Sequence, residues 1–596
     1  MVKYLFSVLL AIYACTRSGD LLIFFISLIE IALVFVLCNE LARISRIAAS
    51  VTSSILLLLF DAQQLFMVFA NTYLTLVMFT NVDSLEDLSG KMVVYVTAFV
   101  LVVLLIALPI KRIDIPLPRV LTILGGTSFV VFALFCVDAV CVDQAGAGIS
   151  SFFSYVHLAQ EYFESGVLAE NLKKQPNTTL EFYKAEVTNY RDKPSGLPKQ
   201  PNVVVIYSEG ISQNIVDDER AIMPNVAAYQ AQSLTFDNYF NHTFATYRGL
   251  TGQTHSGFQH QNYDENTLVS YPAIFAAQGY NTAFMNVEPY NMEFAHYLAT
   301  LGFDEVLEYP DENRVGPTAT GLSDREAYET LLREMERYSK MRKPFLLGMY
   351  TFGTHASFDS MDQKFADGFD TELNKFYDLD YQFGAFMEAF KNSPLYDNTI
   401  IVFTADHCTY GDMYFKDAFP NYQRPTTDVD EMPLFIYHKG VVPEVVDVQG
   451  RNSLDMAPTL LDYLDMTAEN YFLGNSLFAP VENASELEYF FNNGSTSSWT
   501  TKGGYVHKLD KESEKAIETV LWHYYAAKMQ EPLSPDEVVQ TENTSTSGGL
   551  PSTSAATVAA PAASGIAQGT ASGLVPESAS GTTETPEPGL EEVPET

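Results

Sequence analysis

The sequence predicts a multi-span α-helical membrane domain, then an α/β domain with a mostly parallel central sheet, and last a disordered C-terminal tail. Hydrophobic spans crowd the first 140 residues, and short apolar runs alternate with helical stretches after Pro201. From about residue 532 the chain consists mainly of Ser, Thr, Gly, Ala, Pro and Glu, a composition that cannot bury enough apolar surface to fold. We therefore expect a membrane domain, a connector, an α/β domain and an acidic tail over residues 1–140, 141–198, 199–531 and 532–596.

Charge and cysteine content exclude several classes of protein. The 596 residues include 73 Asp and Glu against 35 Lys and Arg, a formal net charge of −38. This balance disfavours nucleic acid and anionic membrane surfaces as partners. Of the 5 cysteines, Cys408 alone lies in the predicted α/β domain, so a disulfide framework within that domain is excluded.

Hydropathy indicates five membrane crossings, each of which needs roughly 20 apolar residues. The predicted spans lie near 2–16, 21–39, 51–80, 92–110 and 120–140. Asp61 interrupts the third span, where it either contacts a lipid headgroup or serves helix packing. A cleaved signal peptide is the alternative interpretation of the first span, but further spans follow directly and no clean A-x-A cleavage site is present.

Loop charges predict which side of the membrane each segment faces. Basic residues gather on one side, at Lys3, Arg43, Arg46, Lys111, Arg112 and Arg119. Acidic residues gather on the other, at Asp83, Glu86, Asp87, Asp138 and Asp143, where Arg17 and Lys91 weaken the bias without reversing it. By the positive-inside rule the N terminus is cytoplasmic, and five crossings place the α/β domain outside the cytoplasm.

Five apolar runs are the predicted strands of the α/β domain. Their apolar residues are continuous rather than alternating, which favours strands covered on both faces: Val203–Tyr207, Thr282–Met285, Phe345–Tyr350, Thr399–Phe403 and Leu434–Tyr437. Helices are predicted between and after them, at Ser323–Tyr338, Leu379–Phe390 and Lys511–Gln530. In such a sheet the ligand site lies beyond the carboxyl ends of the strands.

Polar residues follow three of these strands. Glu209 comes shortly after the first strand, His355 after the third, and Asp406 with His407 after the fourth. Taken singly, such an acid is usually a helix cap or a surface residue, and such a histidine is usually a hydrogen-bonded structural residue. Carboxylate and imidazole groups repeated at strand ends instead favour a site for a divalent ion such as Mn, Zn or Mg.

Several runs resemble the sulfatase-type members of the alkaline phosphatase superfamily. They are PNVVVIYSEG, MPNVAAYQAQSLTFDNYF, TYRGLTGQ, TFGTHASF, YDNTIIVFTADH, EMPLFIY, SLDMAPTLLDYL and FLGNSLF. The closest branch is that of the membrane phosphoglycerol transferases, which comprises the lipoteichoic acid synthases and the transferases that decorate osmoregulated periplasmic glucans. The similarity covers roughly residues 200–480, and five membrane helices before the domain are also typical of that branch.

The resemblance implies one divalent metal ion. Manganese is the expected metal, and zinc and magnesium are the alternatives. Glu209, Asp406 and His407 would hold it together with the nucleophile, which in this family is a threonine. Thr246 of the TYRG run is the matching position, and the alternatives in the same loop are Thr243 and Thr251.

Two further residues acquire expected roles from the resemblance. His355 matches the histidine that contacts the substrate and acts as a general acid–base, so it is both a catalytic and a substrate-binding candidate. Arg248, two residues after Thr246, either binds phosphate or pairs with a structural carboxylate.

In function, the resemblance implies a multi-pass protein of the bacterial inner membrane with an extracytoplasmic sulfatase-like catalytic domain. It would move phosphoglycerol from phosphatidylglycerol to a glycan or polyol-phosphate acceptor through a covalent threonine intermediate, with the bilayer and both substrates as partners. The alternatives are a phosphoethanolamine transferase, and a phosphodiesterase or sulfuric ester hydrolase on the same fold. Sulfatases need a Cys or Ser that the TYRGLTG loop lacks, and phosphoethanolamine transferases typically carry disulfides.

Overall fold

We analysed a computed structural model of the chain. It describes residues 2–19, 21–70, 92–113, 150–260, 266–309, 321–355, 358–360, 362–493 and 499–533, with single residues in 72–76 and 122–133. The chain divides into two units, Met1–Pro535 and Asp536–Thr596. The second unit, which holds most of the predicted tail, lies outside the described residues, as do most of the predicted fifth span and residues 141–149 of the predicted connector.

Four apolar helices form the described N-terminal region: α1 Val2–Ser18, α2 Leu21–Leu41, α3 Arg46–Ala70 and α4 Met92–Ile106. The third begins five residues earlier than the span predicted from hydropathy. Within the described residues, α2 and the segment Arg46–Val68 of α3 are long and apolar enough to cross a membrane, with mean hydropathies of 3.0 and 1.6. These two helices fit membrane anchoring.

The connector helix α5, Ser151–Leu172, begins between α2 and α3 rather than beside them. The first N–H groups of a helix have no partner within it, and here Glu30 of α2 supplies one. Its Oε1 accepts from the Ser150 hydroxyl at 2.8 Å and from the Phe152 N–H at 3.1 Å. Gln64 of α3 donates to the Ser151 hydroxyl at 2.8 Å. The sequence predicted a connector over residues 141–198, and the structure shows that the start of its helix is hydrogen-bonded to α2 and α3.

The α/β domain contains an eight-stranded sheet in the order β4-β3-β5-β1-β6-β7-β2-β8. Its strands are β1 Asn202–Ser208, β2 Leu234–Asp237, β3 Asn281–Asn286, β4 Glu305–Glu308, β5 Phe345–Tyr350, β6 Thr399–Ala405, β7 Leu434–Tyr437 and β8 Glu444–Asp447. The pairs that involve β7 are antiparallel and the others are parallel. This confirms the predicted α/β domain with a mostly parallel sheet.

Helices and short strands surround this sheet. The helices are α6 Thr179–Phe182, α7 Gln213–Val216, α8 Pro224–Gln230, α9 Thr246–His255, α10 Tyr271–Ala277, α11 Met292–Leu298, α12 Asp324–Ser339, α13 Thr371–Lys391, α14 Met413–Ala418, α15 Met456–Tyr463 and α16 Lys511–Lys528. Turns of 3₁₀ helix lie at Ala299–Leu301, Pro394–Asp397, Ser453–Asp455, Val481–Asn483 and Glu486–Tyr489. A small antiparallel sheet joins β9 Phe490–Phe491, β10 Trp499–Thr500 and β11 His507–Lys508.

All five predicted strands are present, and three of the strands in the large sheet were not predicted. Every residue of β1, β5 and β6 is buried, as their continuous apolar runs indicated. The strands that sequence analysis missed are β2, β4 and β8, of four residues each. β4 and β8 are the two edge strands, and charged residues flank their apolar centres, so neither has the apolar signature of a covered strand.

Candidate metal centre

The centre of the sheet sets the position of two acidic residues. β1 and β6 are adjacent and parallel, with Ser208 opposite Ala405 in the register. Each strand is followed at once by a carboxylate, Glu209 after β1 and Asp406 after β6. The two carboxylates therefore lie side by side at the same edge of the sheet, and both are nearly inaccessible to solvent.

His407 completes a group of three possible metal ligands with Glu209 and Asp406. One ligand atom from each residue lies within 4.8 Å of the others, and among the described residues this is the one group of three or more His, Cys, Asp or Glu with that geometry. Nε2 of His407 is 3.5 Å from Oε1 of Glu209 and 3.6 Å from Oδ2 of Asp406. Carboxylate oxygens with an imidazole nitrogen suit a divalent ion.

Hydrogen bonds leave the ligand atoms facing one another. Oδ1 of Asp406 accepts from the N–H groups of Gly210 and His407, at 2.9 and 2.8 Å, while its buried Oδ2 has no hydrogen-bond partner. Nδ1 of His407 is 2.7 Å from the carbonyl oxygen of Cys408. A carbonyl can only accept, so Nδ1 donates to it, and Nε2 is the ring nitrogen that faces the carboxylates.

Electrostatics also favour a cation at this position. Burial raises the pKa of Glu209 well above its usual value, and the neighbouring charge of Asp406 raises it further, against the lowering effect of the hydrogen bond from Thr246. Two buried carboxylates repel each other unless positive charge lies between them. Oδ2 of Asp406, which is buried without a hydrogen-bond partner, and Nε2 of His407 supply matching ligand atoms, so these residues fit a divalent metal ion.

Thr246 is the first residue of α9, and its hydroxyl donates to Oε2 of Glu209 at 3.0 Å. It is partly exposed, whereas Thr243 and Thr251 are buried, and the Thr251 hydroxyl is hydrogen-bonded to Tyr297. The structure thus places Thr246, of the three candidates, against a predicted metal ligand. The amino end of a helix also carries partial positive charge, which stabilises negative charge on such an oxygen.

The backbone before Thr246 is held in an uncommon conformation. Ala245 has a φ of 81°, a region in which a residue with a side chain is strained by roughly 1–3 kcal/mol. Contacts farther along α9 keep the helix in place: Gln253 donates to the carbonyl oxygens of Ala405 and Asp406 at 2.9 and 3.2 Å. The end of β6 therefore fixes the helix that presents Thr246.

Gly249 allows α9 to approach the end of β6 closely. A Cβ atom at this position would lie 2.1 Å from the carbonyl oxygen of Asp406. Only a residue without a side chain can occupy this position while the helix keeps its distance from the metal ligand.

The contacts of two further residues with predicted roles are also described. The ring of His355 packs against Phe352 and Phe358, with ring centroids 5.4 and 5.7 Å away. Its neighbour Thr354 donates to the carbonyl oxygen of Glu209. Arg248 is buried and donates to the backbone carbonyls of residues 260 and 493.

Sequence analysis missed the hydroxyl groups that support the ligands. Thr351 accepts from the N–H of Glu209 at 3.0 Å, and Thr409 donates to the carbonyl of Gly210. The ring of Phe244 lies 4.4 Å from the ring of His407. The two threonines of TFGTH and the threonine after FTADHC were a possible signal, because each lies at the end of a predicted strand.

Residues 201–466 match the protein-family model described as Sulfatase. These residues form a sulfatase-family domain. Relatives of the chain include lipoteichoic acid synthase 2 of Bacillus subtilis, 24% identical over 359 residues, which cover 54% of this chain and 54% of that protein. Lipoteichoic acid synthase 1 of the same organism is 24% identical over 349 residues, which cover 51% and 52%. The chain spans about half the length of these curated relatives.

Solved structures to which the chain is similar include an alkaline phosphatase superfamily protein from Vibrio parahaemolyticus, with 20% identity and a TM-score of 0.46 over 63% of this chain and 95% of that one. The lipoteichoic acid synthase LtaP from Listeria monocytogenes has 15% identity and a TM-score of 0.44, over 64% and 98%. The phosphoethanolamine transferase EptA from Neisseria meningitidis has 13% identity and a TM-score of 0.47, over 81% and 98%.

We predict that Gly249→Ala weakens manganese binding at least tenfold. Alanine favours a helix over glycine by about 1 kcal/mol, but the added Cβ would press on the backbone of Asp406, and overpacking of this kind costs about 1–3 kcal/mol. The clash should therefore displace α9 from the end of β6. Calorimetric titration of the purified protein with Mn²⁺ measures the change.

Gly196→Ala is the matched control, because an added Cβ at Gly196 meets no atom within 4 Å. Its manganese affinity should equal that of the unaltered protein. An unchanged affinity in Gly249→Ala would show that the close approach of α9 does not shape the metal centre.

Proposed function

We propose that this protein is a membrane-anchored, metal-dependent transferase that moves phosphoglycerol from phosphatidylglycerol to an extracytoplasmic glycan or polymer acceptor. The observation that carries the proposal is the hydrogen bond from Thr246, at the start of α9, to Glu209 within the buried group of Glu209, Asp406 and His407. Support also comes from the sulfatase-family domain and from relatives that are lipoteichoic acid synthases.

The reaction has two steps with Thr246 as the nucleophile. In the first, its oxygen bonds to the lipid phosphorus, the bond from phosphorus to the diacylglycerol oxygen breaks, and diacylglycerol leaves with a proton. In the second, an acceptor hydroxyl attacks the same phosphorus, and the Thr246 oxygen leaves and regains its proton. A covalent intermediate of this kind divides one difficult displacement into two easier ones.

The metal ion would be held by Glu209, Asp406, His407 and Thr246. When bound, it would lower the pKa of the threonine hydroxyl and neutralise charge on the phosphoryl oxygens. Three oxygen donors and one imidazole favour manganese, with zinc or magnesium as alternatives.

Glu209 accepts the hydrogen bond of the Thr246 hydroxyl and so orients the attacking oxygen. The amino end of α9 stabilises negative charge on that oxygen. We assign His355 two proton transfers: it donates a proton to the diacylglycerol leaving group in the first step and accepts one from the acceptor hydroxyl in the second. Arg248, also in α9, helps to hold this helix in place through its bonds to the backbone carbonyls of residues 260 and 493.

An extracytoplasmic position for the domain is part of this proposal. Lys3, at the start of α1, donates to the Ser53 hydroxyl and to the carbonyl of Ile106 at the end of α4, at 2.6 and 3.2 Å. Arg17, at the other end of α1, pairs with Asp417 of the α/β domain at 3.1 Å. Lys3 and the α/β domain therefore lie at opposite ends of α1. The wider excess of basic residues on the side of Lys3 supports a domain outside the cytoplasm by the positive-inside rule.

We predict that Thr246→Ala lowers the rate of diacylglycerol release roughly a thousandfold or more, because removing a nucleophile removes most of the catalysis. The assay incubates the full-length protein with Mn²⁺ and with vesicles that contain labelled phosphatidylglycerol or labelled phosphatidylethanolamine. Phosphatidylglycerol should release diacylglycerol. Without acceptor, the TYRG peptide should gain the mass of phosphoglycerol on Thr246.

Thr246→Ser keeps a hydroxyl group at the same position and is the control, with activity well above that of Thr246→Ala. Release from phosphatidylethanolamine instead would identify a phosphoethanolamine transferase. Equal release with and without an acceptor would identify a phosphodiesterase. Normal turnover by Thr246→Ala would refute the covalent mechanism.

With the α/β domain outside the cytoplasm, a reporter fused after residue 200 should be exported and should be active only if it works outside the cytoplasm. Alkaline phosphatase, which needs an oxidising compartment for its disulfides, should be active there. Green fluorescent protein at the same junction should be dark when exported through the general secretory route. The opposite pair of results would overturn both the orientation and the lipid substrate.

A further inference from the structure

The catalytic domain contacts the N-terminal helices through α14. The guanidinium of Arg17, at the end of α1, donates to Oδ1 of Asp417 and to the carbonyl oxygen of Met413, both at 3.1 Å. The side chain of Met413 packs against a cluster formed by the ends of α1, α2, α3 and the residues that follow α3: Ala14, Ile23, Met67, Val68 and Tyr73. One short helix thus makes an ion pair, a hydrogen bond and an apolar contact with the helical region.

The apolar contact is the stronger part of this interface. Arg17 and Asp417 side chains are 23% and 61% exposed, and ion pairs that are open to water contribute little to stability. The five residues that receive Met413 are each less than 10% exposed, so its side chain adds to a buried apolar cluster. The Met413 contact therefore holds α14 against the N-terminal helices, while the bonds from Arg17 fix the orientation of α14.

Arg424 connects α14 to the metal ligands. Its guanidinium lies over the ring of Phe415 in α14, 4.4 Å from the ring centroid. The same group donates to the carbonyl of Thr409 at 2.7 Å and to Asp430 at 3.1 Å. Thr409 in turn donates to the carbonyl of Gly210, the residue after Glu209.

The loop that joins His407 to α14 has little freedom to move. The N–H of Gly411 donates to the carbonyl of Thr427 at 2.7 Å. Asp412 caps α14 by accepting from the N–H of Phe415 at 2.9 Å. The N–H of Thr409 donates to the hydroxyl of Ser212 at 3.1 Å. α14 and the loop that carries His407 are therefore held together, so α14 and the metal centre move as one unit.

We propose that α14 is a docking helix that holds the metal centre in a fixed position over the ends of α1, α2 and α3, and that this contact gives the centre access to a phosphodiester carried by a membrane lipid. The inference rests on the proposed function, since it needs a lipid substrate. A lipid phosphodiester stays at the depth of its headgroup, so a site that reaches it must be held at one distance from the bilayer. A water-soluble phosphodiester diffuses to the site in any orientation and does not need the docked position.

The test compares Met413→Asp with Met413→Leu in the full-length protein in vesicles. The aspartate places a charge in an apolar cluster, which is unfavourable, whereas leucine conserves volume and apolarity. Two substrates are measured with Mn²⁺: phosphatidylglycerol in the vesicles, and bis(p-nitrophenyl) phosphate in solution. Hydrogen exchange of residues 413–418 reports docking, and exchange of α16 is the internal reference.

We expect Met413→Asp to lower lipid turnover at least tenfold, to leave turnover of bis(p-nitrophenyl) phosphate within twofold, and to raise exchange in α14 but not in α16. Met413→Leu should match the unaltered protein in all three. In a second pair of variants, Arg17→Asp should lower lipid turnover, and the double variant Arg17→Asp with Asp417→Arg should restore it.

Three results would overturn the inference. Unchanged exchange in Met413→Asp would show that α14 is not docked. Raised exchange with lipid turnover within twofold would show that docking does not serve the lipid. An equal loss with both substrates would show that α14 merely supports the metal centre. If the unaltered protein turns over neither substrate, the proposed function fails and the lipid claim fails with it, while hydrogen exchange still decides the docking.

Discussion

Burying the carboxylates of Glu209 and Asp406 beside each other is unfavourable unless positive charge lies between them. The register of β1 and β6 imposes this arrangement, because the two strands end together and each is followed by an acid. The hydrogen bonds of the site then leave one oxygen of Asp406 and one nitrogen of His407 without protein donors. A divalent ion bound there would remove the repulsion, and the register of the two strands positions the acids that would hold it.

The remaining parts of the site depend on how closely α9 approaches this pair of strands. Gly249 permits the approach and Gln253 fastens it to the backbone at the end of β6. The strained Ala245 turns the chain so that α9 begins with its amino end, and Thr246, against Glu209. Strain of this kind persists where surrounding contacts fix the conformation and is found frequently at functional sites. Here the strained conformation of Ala245 positions the Thr246 hydroxyl against the buried carboxylate of Glu209.

Which features of the fold and the site could be predicted from the sequence depends on how far apart in the sequence the interacting residues lie. The convergence of Glu209, Asp406 and His407 was predictable because strand ends in a parallel sheet meet at one edge, and each of these residues closely follows a strand. β4 and β8 were missed because short edge strands with charged ends lack a continuous apolar run. The contacts of Arg248 with residue 493, and of Arg17 with Asp417, join positions hundreds of residues apart. No local pattern in the sequence records them.

The central claim is that one metal ion binds where β1 and β6 end. Anomalous diffraction from crystals of the protein soaked in manganese tests it most directly, because the signal locates the metal without reference to activity. The account predicts a single strong anomalous peak in contact with Glu209, Asp406 and His407, with the hydroxyl oxygen of Thr246 within bonding distance. Manganese bound elsewhere, with no peak among these three residues at saturation, would contradict it.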